Sequence, residues 1–569
     1  MNWIAKRQYS QQERADLQAQ LNIHPLFIQL LLQRGITTFD QARDFFRPAL
    51  TNLYNPYRMK DMDKAVQRIQ KALQKRENIL IYGDYDVDGT TAVSMVYSFF
   101  KKELGHSNLA YYIPDRYTEG YGVSDKGISF AADNDFSLII TLDCGIKSFD
   151  KILIAQTHNI DVIICDHHIP GEILPPAIAI LNPKQNDCPY PFKELSGCGV
   201  GFKLLQALAE VNGINEEAVL DYIDFAAIST CADIVPIVDE NRILVYHGIK
   251  KFNENPRNGF LHLLRKAGAD KRELNVEDAV FILGPRINAA GRIAHASRVV
   301  ELLSGENEEL LDELSKNINT NNQERQELDR NMTQEALQQI AEDPSWASRK
   351  STVLYNPDWH KGVVGIVASR VIETHYRPTI ILTHSQDKIT GSARSVAGFD
   401  LYDALSDCDD LLTNWGGHAF AAGLSMEPDM LDAFKEAFDK AVSKRITEDQ
   451  LIPKLDYDAE VPLGLLTPSF YRILKQFAPF GPGNPTPQFC VKNLKIYNQN
   501  LRLLKDQHLQ MQIYAEGDIH NVFNAIGFKL GKYYDQLWNK EKFHIICSLR
   551  ENHFNGNTTL QIEVKDIKF

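Results

Sequence analysis

The chain has 569 residues, 44% of them hydrophobic and 24% charged, the proportions of an ordinary globular protein with about three or four domains. No apolar run reaches the ~18–20 residues that span a bilayer, and the opening MNWIAKRQYSQQERADLQAQL lacks the apolar core of a secretory signal; a cytoplasmic protein with no membrane partner is the expectation. A net charge of −13 argues against broad coating of duplex nucleic acid by a dominant basic face, but leaves room for a local basic groove and for carboxylates that hold cations.

In chain order, residues 1 to about 75 read as a helical lead-in, with Leu17, Leu21, Phe27 and Leu30–Leu32 at recurring apolar positions. From 78 to 240 short apolar runs end in polar residues or turns, as in NILIYGDYDVDG, FSLIITLDCG, DVIICDHH and AIAILNPK, with helical stretches between several of them. That alternation predicts βαβ units and a mainly parallel sheet. Residues 241–300 read as helical. The charged stretch from 301 to 342 keeps a broken helical period through Leu311, Leu314, Ile318, Leu328, Met332 and Ile340, which predicts a long solvated connector. A second α/β unit runs from 351 to about 447 and contains WGGHAFAAG. After the loop chemistry of PFGPGNPTPQF, the alternation in LQMQIYA and TLQIEVKDI predicts antiparallel strands of a small OB-like barrel. The eight cysteines form no C-x-x-C pair and lie mostly in apolar segments, so they read as buried thiols. No P-loop is present, and GCGVGFK at 197–203 fails the dinucleotide spacing; it reads as a close-packed helix start beside the site.

The chemistry sits where apolar runs end. Asp84, Asp86 and Asp88 alternate after Ile79–Tyr82, and an extended chain would point all three carboxylates one way. An EF-hand loop is excluded because its twelfth position is Met95 and a strand-like run precedes it. Asp143 follows Leu138–Leu142; Asp166, His167 and His168 follow Val162–Cys165; Asp233 closes Phe225–Ala232. A parallel sheet carries its strand ends along one edge, where ligands bind. At least five carboxylates and two imidazoles therefore meet at one rim. Without a thiolate the set suits Mn²⁺ or Mg²⁺, and its size suits two ions acting on a phosphate ester.

GDYDVDG, the TLDCG aspartate, the Asp-His-His triplet and CADIVP resemble, in order and spacing, the four motifs of the DHH phosphoesterase family, and in particular its branch of single-strand-specific DNA exonucleases. The resemblance covers nearly the whole chain. It implies an α/β protein: a helical lead-in at 1–75, a parallel-sheet DHH catalytic domain at 76–300, a long connecting helix at 301–345, a second α/β DHH-associated substrate-binding domain at 346–450, and an OB-like β-barrel for single strands at 451–569. It further implies that Asp84, Asp86 and Asp143 hold one ion and Asp88, Asp143, His167 and Asp233 the other, with Asp143 bridging and His168 on the scissile phosphate; Asp88, Asp143 and His168 are then the catalytic set. DNA phosphates would be met by Arg116, Arg286, Asn288, Arg292, Ser392, Arg394, Gly416, Gly417 and His418, since arginine binds phosphate bidentately and glycine lets backbone amides approach. The implied activity is 5′→3′ degradation of single-stranded DNA to mononucleotides in recombination and repair, beside a single-strand-binding protein and a RecQ-type helicase. Smaller DHH relatives that act on short oligoribonucleotides, cyclic dinucleotides or pyrophosphate lack the last domain, and a non-catalytic DNA-binding scaffold would have lost ligands that are all present here.

Overall fold

A computed structural model describes residues 1–270, 273–539, 542–554 and 557–569. The chain divides into two compact units, residues 54–235 with 244–453, and residues 1–53 with 236–243 and 454–569.

The first unit is built on a five-stranded, wholly parallel sheet. Its strands are β1 (Asn78–Gly83), β2 (Leu109–Tyr112), β3 (Phe136–Leu142), β4 (Asp161–Cys165) and β5 (Ala179–Leu181), in the order β2-β1-β3-β4-β5. The strands read as near-continuous apolar runs because both faces are covered. On one face Leu80, Tyr82, Ile139, Val162 and Ile164 form a core with Ile128 and Ile152 of the helices Asp125–Asp133 and Phe149–Thr157. On the other, Ile79, Ile81, Ile140 and Ile163 are buried beneath α1 (Val87–Lys102) and α2 (Gly197–Asn212). The strand order reverses between β1 and β3. In doubly wound sheets that switch point opens a crevice at the carboxyl ends of the strands.

Helices follow, among them α3 (Ile223–Ala232), α4 (Gly284–Ile293) and α5 (Glu308–Glu342). At 35 residues, α5 is about 50 Å long. It is not the solvated connector its charge suggested. Leu311, Leu314, Ile318, Asn322, Asp329, Met332 and Ala336 bury one stripe along most of its length, against α4 and later helices. A second sheet holds β6 (Thr352–Tyr355), β7 (Thr379–Ser385), β8 (Lys388–Arg394), β9 (Asn414–His418) and β10 (Ala421–Met426), ordered β9-β10-β8-β7-β6. Only β6 and β7 run parallel. The helix α6 (Val364–Thr374) packs on it, and WGGHAFAAG is the β9–β10 hairpin at its edge.

The second unit is a closed five-stranded barrel of Phe489–Leu504, His508–Ala515, Asp518–Gly527, Phe543–Phe554 and Asn557–Lys568, its first and fourth strands paired. The N-terminal helices are part of this unit. The helix Pro25–Gln33 is buried from Leu26 to Leu32, apolar but for Gln29, so this part of the helical lead-in belongs to the core of the unit. Phe27 stacks on Phe470 at 4.8 Å, and Leu30 and Leu31 share a core with Phe489, Ile513 and Ile545. The strand Asn2–Ala5 pairs in parallel with Lys454–Tyr457. Among the described residues no helix is long and apolar enough to cross a membrane.

Candidate metal centre and anion cleft

Register builds the centre. Gly83 lies beside Leu142, Leu142 beside Cys165 and Cys165 beside Leu181, so the next residues, Asp84, Asp143 and Asp166, emerge side by side at the sheet edge. Backbone bonds from Asp143 N to Cys165 O (2.9 Å) and Asp166 N to Leu181 O (3.0 Å) extend the ladder one step. The strand stops at Gly83, so the alternating aspartates do not point one way along an extended chain. Asp86 caps α1, accepting from Gly89 N at 3.1 Å, and Asp88 lies in its first turn, where the helix dipole favours negative charge. The loop closes so tightly that a Cβ on Gly89 would lie 2.4 Å from the Asp84 carbonyl oxygen.

Asp233 arrives by another route. Phe225–Ala232 belongs to α3, and Asp233 is the C-cap of that helix rather than the end of a strand. The start of α2 closes the site: Gly197 N and Cys198 N donate to the two Asp88 oxygens at 2.6 and 2.7 Å, and Ser229 Oγ donates at 2.5 Å. The GCGVGFK stretch is a close-packed helix start, as its spacing indicated, since a Cβ on Gly197 would fall 2.8 Å from Asp143 Oδ1.

His167 Nε2 lies 3.2 Å from Asp143 Oδ1, 3.6 Å from Asp233 Oδ2 and 3.7 Å from Asp88 Oδ2. Ligand atoms converge in the sets Asp84–Asp86–Asp143, Asp88–His167–Asp233 and Asp143–His167–His168. Asp84 Oδ1, Asp143 Oδ1, Asp233 Oδ2 and both ring nitrogens of His167 are buried with no hydrogen-bond partner. Burial, then repulsion from Asp86, lifts Asp84 well above the usual carboxylate range. Burial and the charges of Asp88 and Asp86 lift Asp143 and Asp233 likewise. Buried acids that repel one another and lack donors are what divalent cations relieve, and the oxygen-plus-imidazole donor set fits Mn²⁺ or Mg²⁺.

Asp166 has a different task. Burial alone would raise it, but His168 Nδ1 at 2.7 Å and the amides of Ile146, His167 and His168 hold it at about 2. It fixes the His168 ring. Tyr121 Oη, which the sequence reading did not single out, donates to Asp143 O at 2.9 Å and lies 3.2 Å from the His168 ring nitrogens. Only its place in TEGYG, ahead of the TLDCG strand, could have signalled it.

The expected phosphate contacts fall in four places. Arg116 lies over the Tyr85 ring at 4.7 Å, next to Asp84. From α4, Arg286 Nε donates to Asn319 Oδ1 (3.0 Å), Asn288 Oδ1 accepts from Val87 N (3.2 Å) and so holds the acidic loop, and Arg292 Nη1 donates to Gly362 O (2.7 Å). On β8, Arg394 Nη1 donates to Ser392 Oγ at 2.8 Å, and a Cβ on Gly365, near the start of α6, would come within 3.0 Å of Arg394 Nη2. Gly416, Gly417 and His418 lie exposed on edge strand β9, with His418 paired to Ala421 and Ala421 to Arg394.

An acidic–imidazole centre at the switch point of a parallel sheet, with a second α/β sheet in the same compact unit, defines a metal-dependent phosphoesterase of the DHH class. The DHH family, N-terminal domain, matches residues 78–230, the DHHA1 domain 349–444 and the RecJ OB domain 457–566. The chain is 35% identical to the single-stranded-DNA-specific exonuclease RecJ of Bacillus subtilis over 100% of its own length and 70% of the relative's, and 32% identical to that of Escherichia coli over 99% of each. The crystal structure of Thermus thermophilus RecJ in complex with Mn²⁺ superposes with a TM-score of 0.84 at 27% identity, covering 100% of this chain and 79% of that one, and its Mg²⁺ complex with a TM-score of 0.78 over 100% and 78%. This chain belongs to the RecJ family of single-stranded-DNA-specific exonucleases.

Proposed function

We infer that the protein is a metal-dependent exonuclease that shortens single-stranded DNA from its 5′ end to mononucleotides in recombination and repair. One observation carries the reading: four partnerless buried ligand atoms, Asp84 Oδ1, Asp143 Oδ1, His167 Nε2 and Asp233 Oδ2, belong to the ligand sets that gather at the carboxyl edge of the sheet. Asp84, Asp86 and Asp143 hold one divalent cation, and Asp88, Asp143, His167 and Asp233 the other, with Asp143 shared. When bound, Mn²⁺ or Mg²⁺ supplies charge neutralisation at the phosphate and lowers the pKa of the attacking water.

The protein's own groups do the rest. Asp88, anchored by three donors, keeps its ligand geometry without reorganisation. Asp166 and Tyr121 set the ring of His168, which faces the scissile phosphate. Ser392 and Arg394, beside the start of α6 where helix amides favour anions, take the terminal phosphate together with Arg116. Arg286, Asn288, Arg292, Gly416, Gly417 and His418 line the path of the strand. The barrel binds single strands as well. A cytoplasmic setting beside a single-strand-binding protein and a RecQ-type helicase completes the reading.

The test uses 5′- and 3′-labelled single strands and blunt duplexes with Mn²⁺, Mg²⁺ or EDTA. Mononucleotides released from the 5′ end of single strands, and abolished by EDTA, are the expected result. Release from the 3′ end, or equal attack on blunt duplexes, overturns it.

A further inference from the structure

The buried stripe of α5 carries more than packing. Asn319, Asn322 and Arg325, three residues apart, share one face of the helix. Asn319 Oδ1 holds Arg286 Nε at 3.0 Å, and Asn322, 1% exposed, accepts from Arg325 Nη2 at 3.0 Å. The Nε of Arg325 is buried with no partner. Among the described residues, no carboxylate lies within 4 Å of the guanidinium of Arg116, Arg286, Arg292, Arg325 or Arg394, in a chain with 74 acidic residues to 61 basic ones. By contrast, Arg68 is paired with Glu77 and Asp161, and Arg257 with Asp221 and Asp224.

The arginines lie within electrostatic reach of one another, where α4 packs on α5. Burial and the charges of Arg116, Arg325 and Arg394 push Arg292 down to about 10, Arg286 is lowered by burial and by Arg325, and Arg325 is lowered by burial, with Asp329 offsetting it in part. A single phosphate cannot meet all of these guanidinium groups. The rest are left as partly desolvated cations, an arrangement that costs free energy unless a further anion meets it.

We propose that Arg325, with Arg286 set by Asn319, forms a second phosphate subsite on the connecting helix, and that this subsite takes an internal phosphodiester of the bound strand. This rests on the exonuclease reading above and assigns α5 a role in it: the helix is a wall of the DNA cleft as well as a connector. The subsite is indifferent to the terminal phosphate, because its donors face backbone further along the strand.

The experiment measures Kd in EDTA for 5′-phosphoryl and 5′-hydroxyl 12-mer single strands and for the blunt 12-mer duplex across a salt series, using the full chain with Arg325→Ala and Arg325→Lys. Arg325→Ala is expected to weaken both strands by the same factor, about tenfold, and to shallow the slope of log K against log salt by about 0.7. Arg325→Lys should restore the slope. The melting temperature and the 5′-phosphate preference should match those of the parent. An unchanged Kd and slope overturns the proposal, and so does a loss confined to 5′-phosphoryl strands, which would put Arg325 in the terminal pocket. If the parent itself fails to prefer single strands, the exonuclease reading fails instead, so the two outcomes are distinct.

Discussion

Asp143 occupies a left-handed backbone conformation, φ 59°, which aspartate tolerates better than most side chains. Its carboxylate belongs to two of the three ligand sets. Asp143→Ala should abolish hydrolysis with an unchanged circular-dichroism spectrum and remove both Mn²⁺ equivalents in calorimetry; activity within about tenfold of the parent rules out a bridging role. Asp166→Asn should leave Mn²⁺ stoichiometry intact while lowering kcat by about 10–100-fold through a loosened His168. The raised acids also fix a sign with pH. In metal-free protein, Asp84, Asp143 and Asp233 keep protons that the unfolded chain loses near 3.9. Stability therefore falls as pH rises through their raised values, and cations remove that penalty. The gain in melting temperature on adding Mn²⁺ should grow as pH is raised above the ordinary carboxylate range, and a gain that shrinks with rising pH would contradict the electrostatic account. Most of this centre was legible, because aspartates after parallel strands have one edge to share. Asp166 and Tyr121 were not assigned, since orienting a neighbour leaves no spacing in the sequence.

At the scale of elements, two readings needed correction for one reason. A run such as FAAISTCA is apolar on every side, and periodicity cannot separate a buried helix from a buried strand. A charged run such as α5 hides its buried stripe, because Asn322 and Asp329 are polar yet nearly inaccessible. The barrel was legible from its alternation, but its sharing of a core with Phe27, Leu30 and Leu31 was not; that pairing joins segments over 400 residues apart. Cutting the chain at residue 453 should thus yield an aggregating protein rather than a nuclease with weaker DNA binding, checked by size-exclusion chromatography. The barrel is better probed by point changes. Phe528 is 44% exposed, with His508 edge-on at 5.6 Å and the Arg550 guanidinium 5.7 Å from its centroid, an arrangement suited to a stacked base. Phe528→Ala should weaken binding of long single strands by about 1–3 kcal/mol while sparing cleavage of oligonucleotides too short to reach it. An unchanged Kd for long strands would remove Phe528 from the DNA path.

For the whole molecule, the net charge of −13 conceals an uneven distribution. Residues 454–569 carry 14 Lys and Arg against 11 Asp and Glu, and the arginines with no carboxylate inside 4 Å, Arg116, Arg286, Arg292, Arg325 and Arg394, lie in the catalytic unit. Substrate is thus held by local fields, not by overall attraction. A terminal phosphate bears more charge than an internal diester, so on the proposed reading the Arg116, Ser392 and Arg394 group would select an end and position the first bond for hydrolysis. Removing the 5′ phosphate, or substituting Arg394→Ala, should raise KM for the first cut without altering Mn²⁺ affinity, measured by single-turnover kinetics and calorimetry. Equal KM values for 5′-phosphoryl and 5′-hydroxyl strands would detach the arginines from end selection.

The division of the chain into interleaved segments also sets a timetable. The helix Pro25–Gln33 leaves the ribosome early, yet the core that buries it is completed by residues 454–569. At about 5–20 residues per second, the intervening ~400 residues take roughly 20–80 s to make. For that interval a mostly apolar helix lacks the core that buries it, so the nascent chain is expected to engage chaperones. A chain released early would keep this helix without the core that buries it, and aggregation of such a fragment is the expected outcome.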